Sequence, residues 1–257
     1  MSNDHVGIPK KVMLNFAHKN HVFCYDFARN KDYPSHVENI GAEHNYYDDD
    51  VEKGILANDV ERKYAPFVDK FASSASFENY DYLNELVNQN REIITRMFSF
   101  MYMRAKKTLE QMNEETIIGK AIGGFTHSEL LRVIYDMKMD IIGMLGDEYD
   151  FYPMIVFGQN DELINNSLGF TIMSLQNVSF FIPICTKGGI LLTQSQKYKR
   201  KQLFFSDSLS VDKMNKSLAT FEKAWGNGFV FGRRKKDVYK AVEHIVDKEI
   251  INNHAEE

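Results

Sequence analysis

The hydrophobic period of this chain changes twice, and that limits the folds open to it more than any other feature. Before about residue 50 and after about residue 150, apolar residues come in short β-branched and aromatic runs; between them they recur at three-and-four spacing. Helices in the middle with strands at both ends imply that the two ends of the chain meet in one sheet.

Val12-Met13-Leu14-Asn15-Phe16 and His21-Val22-Phe23-Cys24-Tyr25-Asp26-Phe27 read as a hairpin turned at Lys19-Asn20, and Val37-Glu38-Asn39-Ile40 as a further extended piece. From Val51, the residues Ile55, Leu56, Val60, Tyr64, Phe67, Val68 and Phe71 mark an amphipathic helix, which Pro66 should divide near Ala65. A longer helix is expected from Tyr80 to Met112. Thr126-His127-Ser128-Glu129 forms a capping box that opens another, running toward Leu145 with Gly146 placed to end it. Strands return at 154–157, 169–175, 178–184, 189–193 and 228–231, with helices at 211–225 and 236–251. With no repeat and no linker, the expected fold is α+β, a single domain over residues 1–257. In it a central helical bundle packs on a mainly antiparallel sheet formed by the N- and C-terminal segments.

Composition excludes several classes. Nineteen Phe and thirteen Tyr must be buried somewhere, so disorder is not the dominant state. Cys24 and Cys185 are too few for a disulfide framework and lack Cys-x-x-Cys spacing. No apolar run reaches the roughly 18 residues of a membrane span, and the first residues lack the pattern of a signal peptide, so a cytoplasmic location is expected. Residues 1–150 carry 17 Lys/Arg against 25 Asp/Glu, and the remainder 14 against 11. That asymmetry could steer an anionic partner to the C-terminal half, or record only the acidic surface of long helices.

His5-Val6-Gly7-Ile8-Pro9, then Leu14-Asn15-Phe16 and a strand ending in Tyr25-Asp26, resemble the opening of the domain-of-unknown-function 4238 family, which is mainly bacterial and phage. Val37-Glu38-Asn39-Ile40, Tyr46-Tyr47, Glu61 and the segment Ser99-Phe100-Met101-Tyr102-Met103-Arg104 are similar to its next blocks. Ile182-Pro183-Ile184, Asn215 and Phe229-Val230-Phe231 are similar to its last, so the resemblance spans nearly the whole chain. Ala105 stands where the family has proline, and Asn160-Asp161-Glu162-Leu163 where it has Ser-Asp-x-Pro. The resemblance implies a fold and carries no activity.

The polar residues that stand out are His5, Glu61, Arg104 and Asp161. Arg104 follows Phe98, Phe100, Met101 and Tyr102, so its stem should be buried and its guanidinium should need a carboxylate, with Glu61 and Asp161 as candidates. In one reading His5 is a general acid or base, a carboxylate orients it, and Arg104 holds an anionic substrate. In the other, the same groups are a buried ion-pair network that fixes packing. Two basic clusters, Lys197-Tyr198-Lys199-Arg200-Lys201 and Arg233-Arg234-Lys235-Lys236, could contact phosphates through Lys199, Arg200, Lys201, Arg233 and Arg234, or be solvated surface charge. His18-x-x-His21-x-x-Cys24 has three-residue spacing that a strand turns to opposite faces, so no metal site is expected. Gly119-Lys120-Ala121-Ile122-Gly123-Gly124 does not match a phosphate-binding loop.

Beside a purely structural interaction module, two functions remain. One is a hydrolase or nuclease-like enzyme acting on a phosphorylated or nucleic-acid substrate. The other is a non-catalytic binding or regulatory protein of bacterial or phage conflict, including antiviral defence, with a nucleic acid or phosphorylated ligand as its partner. The sequence identifies no cofactor and no oligomeric state.

Overall fold

Strand β2 (His21–Asp26) is flanked antiparallel by β3 (Lys31–His36) and by β11 (Phe229–Gly232), and β11 pairs on its far side with β6 (Asn165–Asn166). This four-stranded sheet closes the two ends of the chain on each other, as the change of period requires. The computed structural model describes residues 3–5, 8–44, 46–115, 120, 124–144, 149–158, 160–175, 177–194, 203–205, 208–226 and 228–246. A second sheet is built wholly from the C-terminal half. Its order is β10 (Leu203–Phe205), β5 (Asp150–Val156), β9 (Gly188–Thr193), β8 (Asn177–Cys185) and β7 (Thr171–Leu175), antiparallel except for the parallel β10–β5 pair. β9 is buried along its length. A Cβ on Gly189 would fall 2.4 Å from the Ile182 carbonyl oxygen, so only glycine lets β8 approach there. A short ribbon pairs β1 (Asn3–His5) with β4 (Ala42–His44).

Before the long central helix, three segments differ from the sequence expectation. Lys10–Leu14 is a short helix, α1, rather than a strand, so the N-terminal hairpin is β2–β3. Val37–Asn39 is a 3-10 turn. The segment from Val51 is not an α-helix but a π-helix, Asp50–Glu61, which gives way to α2 (Arg62–Ser74). The division expected near Ala65 thus falls at Glu61–Arg62, beside the carbonyl that the ring of Pro66 would crowd.

The long central helix is cut twice, into α3 (Tyr80–Gln89), α4 (Arg91–Met103) and α5 (Lys106–Glu115). The second cut falls at Arg104-Ala105, although no proline is present there. The capping box at Thr126 opens α6 (His127–Asp136), followed by α7 (Ile141–Met144); the residues 145–148 that include Leu145 and Gly146 lie outside the described residues. At the C-terminus, α8 (Ser208–Trp225) lies against β7, β6 and β11, and α9 (Lys235–Val242) against β2 and α8. One connected cluster of buried apolar residues runs from Phe16 through Phe98 and Phe181 to Val242. The bundle and both sheets therefore share a core, an α+β fold.

Candidate functional site

The π-helix explains how two acids reach one guanidinium. Its i→i+5 hydrogen bonding widens each turn beyond 3.6 residues, so residues nine apart, such as Glu52 and Glu61, come close to the same face. An α-helix would set them on nearly opposite faces. The buried residues Val51, Leu56 and Val60 follow the same wide period.

Arg104 ends α4 and is 1% exposed. Its Nη2 donates to Glu61 Oε1 at 3.2 Å, and its guanidinium lies 5.4 Å from the centre of the buried Tyr47 ring. Burial works against the Arg104 charge, but Tyr47, Glu61 and Glu52 outweigh it and hold the proton on more firmly than usual. Glu61 keeps 26% of its side chain exposed; its burial raises its pKa, against the opposing pull of Arg104. Removing one member of such a pair typically costs about 3–5 kcal/mol, because the other charge is left desolvated.

The same centre is tied to α6. Tyr46 packs edge-on against Tyr47 and shares a 2.7 Å hydrogen bond with His127 Nδ1. Burial, and then Arg104, push the His127 pKa down to about 4, so the ring is neutral at pH 7. The Asp48 amide donates to Ser128 Oγ at 2.9 Å, and Arg132 bridges Asp48 and Asp50, each at 2.7 Å. The first two turns of α6 thereby grip the lead into the π-helix.

Of the four residues singled out by sequence, Arg104 and Glu61 meet. His5 pairs through its backbone with Ala42, in the strand that leads toward Tyr46. Asp161 comes from a different element of the fold. It lies in the loop after β5, where Lys187 Nζ donates to the Asp161 carbonyl at 2.7 Å and to the Gly158 carbonyl at 3.0 Å. Its glutamate neighbour Glu162 pairs with Arg233 at 3.6 Å and Arg234 at 3.3 Å, and Arg234 also pairs with Asp237. These two arginines, offered by sequence to phosphates, are thus answered by local carboxylates. Lys199, Arg200 and Lys201 lie outside the described residues, as does most of the Gly119–Gly124 segment. His21 sits on the exposed rim and packs its ring against His36, while Cys24 is buried, so the His18, His21, Cys24 set does not converge. Among the described residues no His, Cys, Asp and Glu cluster has a metal-binding arrangement.

Two features escape sequence reasoning. The first is a buried carboxylate in α8. Glu222 accepts from the Ser167 hydroxyl and amide and from the amides of Gly228 (2.7 Å) and Phe229 (3.1 Å). A Cβ on Gly226 would fall 2.1 Å from this carboxyl group, which makes glycine necessary there. Burial lifts the Glu222 pKa to about 7 against the pull of those donors. The sequence signal for it is the polar run Asn165-Asn166-Ser167 in an apolar stretch.

The second is an open groove of about 310 Å³ between α4 and α6, at the end of α4 away from Arg104. Phe100, Ile134 and Met139 form its apolar side, and Arg91, Arg96 and Lys138 its basic side, with Glu92 and Asp140 also present. A smaller recess of about 130 Å³ adjoins it beside Asp59 and Lys63 of the π-helix and α2. No protein-family model matches the chain, and no curated protein or solved structure does so either.

Proposed function

We propose that this chain is a non-catalytic binding protein whose π-helix, α4 and α6 form the receptor and whose sheets form the frame. The observation that carries this reading is the contrast along α4. At its C-terminal end the guanidinium of Arg104 is sealed at 1% exposure against Glu61 and Tyr47, and so joins helices rather than facing a substrate. At its N-terminal end the elements part to leave an open cavity with an apolar side and a few polar groups, the usual lining of a ligand site.

A phosphoester hydrolase or nuclease built on His5, Glu61, Arg104 and Asp161 needs an acid and a base within about one hydrogen bond of a common reacting atom. Asp161 comes from the loop after β5, where its backbone carbonyl accepts from Lys187, and not from the helices that hold Arg104 and Glu61, which weighs against that set. The test uses the purified chain with bis(p-nitrophenyl) phosphate and with a single-stranded oligonucleotide, each with Mg²⁺ or Mn²⁺ added. The binding reading expects no turnover above buffer, and a saturable rise in Tm with members of a small-molecule panel. Turnover abolished by Glu61→Gln in a variant that keeps its fold would overturn it in favour of the enzyme.

A further inference from the structure

The groove between α4 and α6 also has a chemistry that selects among ligands. We infer that it is a site for a small organic anion carrying one ring, a carboxylate or phosphate ester, and that Lys138 is the cation that selects the charge. This rests on the binding reading above and gives its ligand class.

Size comes first. An apolar cavity of about 150 Å³ suffices for benzene, so 310 Å³ leaves room for one ring and a charged substituent. Phe100, Ile134 and Met139 supply the apolar contact. The cations around it are not equivalent. Arg91 donates to the Tyr149 carbonyl and lies 4.7 Å over the Phe151 ring. Arg96 is fixed by Asp59 at 2.9 Å and lies 5.1 Å over the Tyr135 ring. Both guanidiniums are oriented by protein and lend a steady positive potential to the wall. Of the two acids, Asp140 is turned toward the Gly143 amide at 3.0 Å.

Lys138 has no ion-pair partner among the described residues. Its backbone is left-handed, φ 50°, at the position that closes α6. The Lys138 amide donates to the Tyr135 carbonyl at 3.2 Å and the Met139 amide to the Ile134 carbonyl at 3.0 Å, a pattern in which glycine is the favoured residue. A lysine holds that place at a cost in backbone energy, and among the described residues its side chain is the groove cation that neither a carboxylate nor a carbonyl engages, with Glu92 as the groove's unpaired acid.

The experiment uses the full chain and three probes of one shape: phenylacetate, phenyl phosphate and the neutral 2-phenylacetamide. Binding is followed by calorimetry and by the Met139 and Ile134 methyl resonances, with Ile190 in β9 as a distant control. Both anions should bind about tenfold more tightly than the amide and move the two groove methyls. Lys138→Gly should weaken the anions about threefold to tenfold and leave the amide unchanged, without lowering Tm, because glycine suits φ 50°. If the amide binds as well as the anions, or Lys138→Gly leaves the anions unaffected, this inference fails while the binding reading stands. If no probe moves the groove methyls, both fall together. Preference between the two anions tells a carboxylate ligand from a phosphate ester.

Discussion

Arg104 and Glu222 are both sealed at 1% exposure, yet the first is answered by charges and the second by dipoles. Arg104 sits between Glu61 and the field of Glu52, with the Tyr47 ring against its face. Glu222 is met by a hydroxyl and by backbone amides from the β6–β7 turn and the start of β11. Opposite charges hold a guanidinium charged at every accessible pH. Amide dipoles compensate a carboxylate less completely, so burial wins and its pKa rises to about 7. One centre is therefore a fixed lock among helices, and the other a lock between helix and sheet that titrates near neutrality.

The comparison breaks most visibly if Arg104 is removed. Arg104→Met should cost about 3–5 kcal/mol in urea unfolding, since Glu61 and Glu52 lose their counter-charge at a buried site. Adding Glu61→Gln should recover a large part of that loss, because the stranded carboxylate is then gone. A single variant within about 1 kcal/mol of wild type, or a double variant no better than the single, would show that the pair does not hold the helices.

The second effect is smaller and depends on pH. The folded pKa of Glu222, about 7, lies above its ordinary value of 4.5, so the native state binds the extra proton between these limits. Stability should therefore fall as pH rises from about 5 to 8, by up to about 3 kcal/mol from this group. His127 works in the opposite sense. Its folded pKa of about 4 lies below the ordinary 6.5, and its contribution is lost as pH falls through that window. The two slopes oppose each other between about pH 4.5 and 6.5, and that of Glu222 continues alone above. Glu222→Gln should abolish the decline between pH 6.5 and 8, measured as Tm against pH. A variant that keeps the wild-type slope there would remove Glu222 as its source.

Why these centres differ in how well the sequence announces them is a matter of range. Arg104 was legible because four apolar neighbours within six residues force its stem inward, and a buried guanidinium demands a carboxylate. That reasoning reached Glu61 as well as Asp161, and nothing local could choose between them. The π-helix was written in the spacing Val51, Leu56, Val60, but an α-helix tolerates enough scatter that four-and-five spacing passes for three-and-four. The capping box and the C-terminal strands were legible because their signals lie within a few residues. Glu222 and the groove were not. Glu222 meets Ser167 across 55 residues, and the groove exists only where α4 and α6 diverge.

The smallest expected effect tests whether α6 supports the Arg104 lock or merely borders it. Thr126 Oγ1 accepts from the Glu129 amide at 3.2 Å while Glu129 reaches back to the Thr126 amide at 2.8 Å, so both ends of the capping box are present. Thr126→Ala should cost about 1 kcal/mol by losing that cap. The next two residues, His127 and Ser128, hold Tyr46 and Asp48, the residues on either side of Tyr47. Fraying the first turn should therefore loosen the face on which the guanidinium lies. If α6 supports the lock, Thr126→Ala and Arg104→Met should be less than additive by about 0.5 kcal/mol or more, since part of the support is already lost in either variant alone. Glu222→Gln shares none of these partners and should add to Thr126→Ala within about 0.5 kcal/mol. Additivity in both cycles would make the centres independent of α6, and the comparison would reduce to Arg104 and its acids on the π-helix.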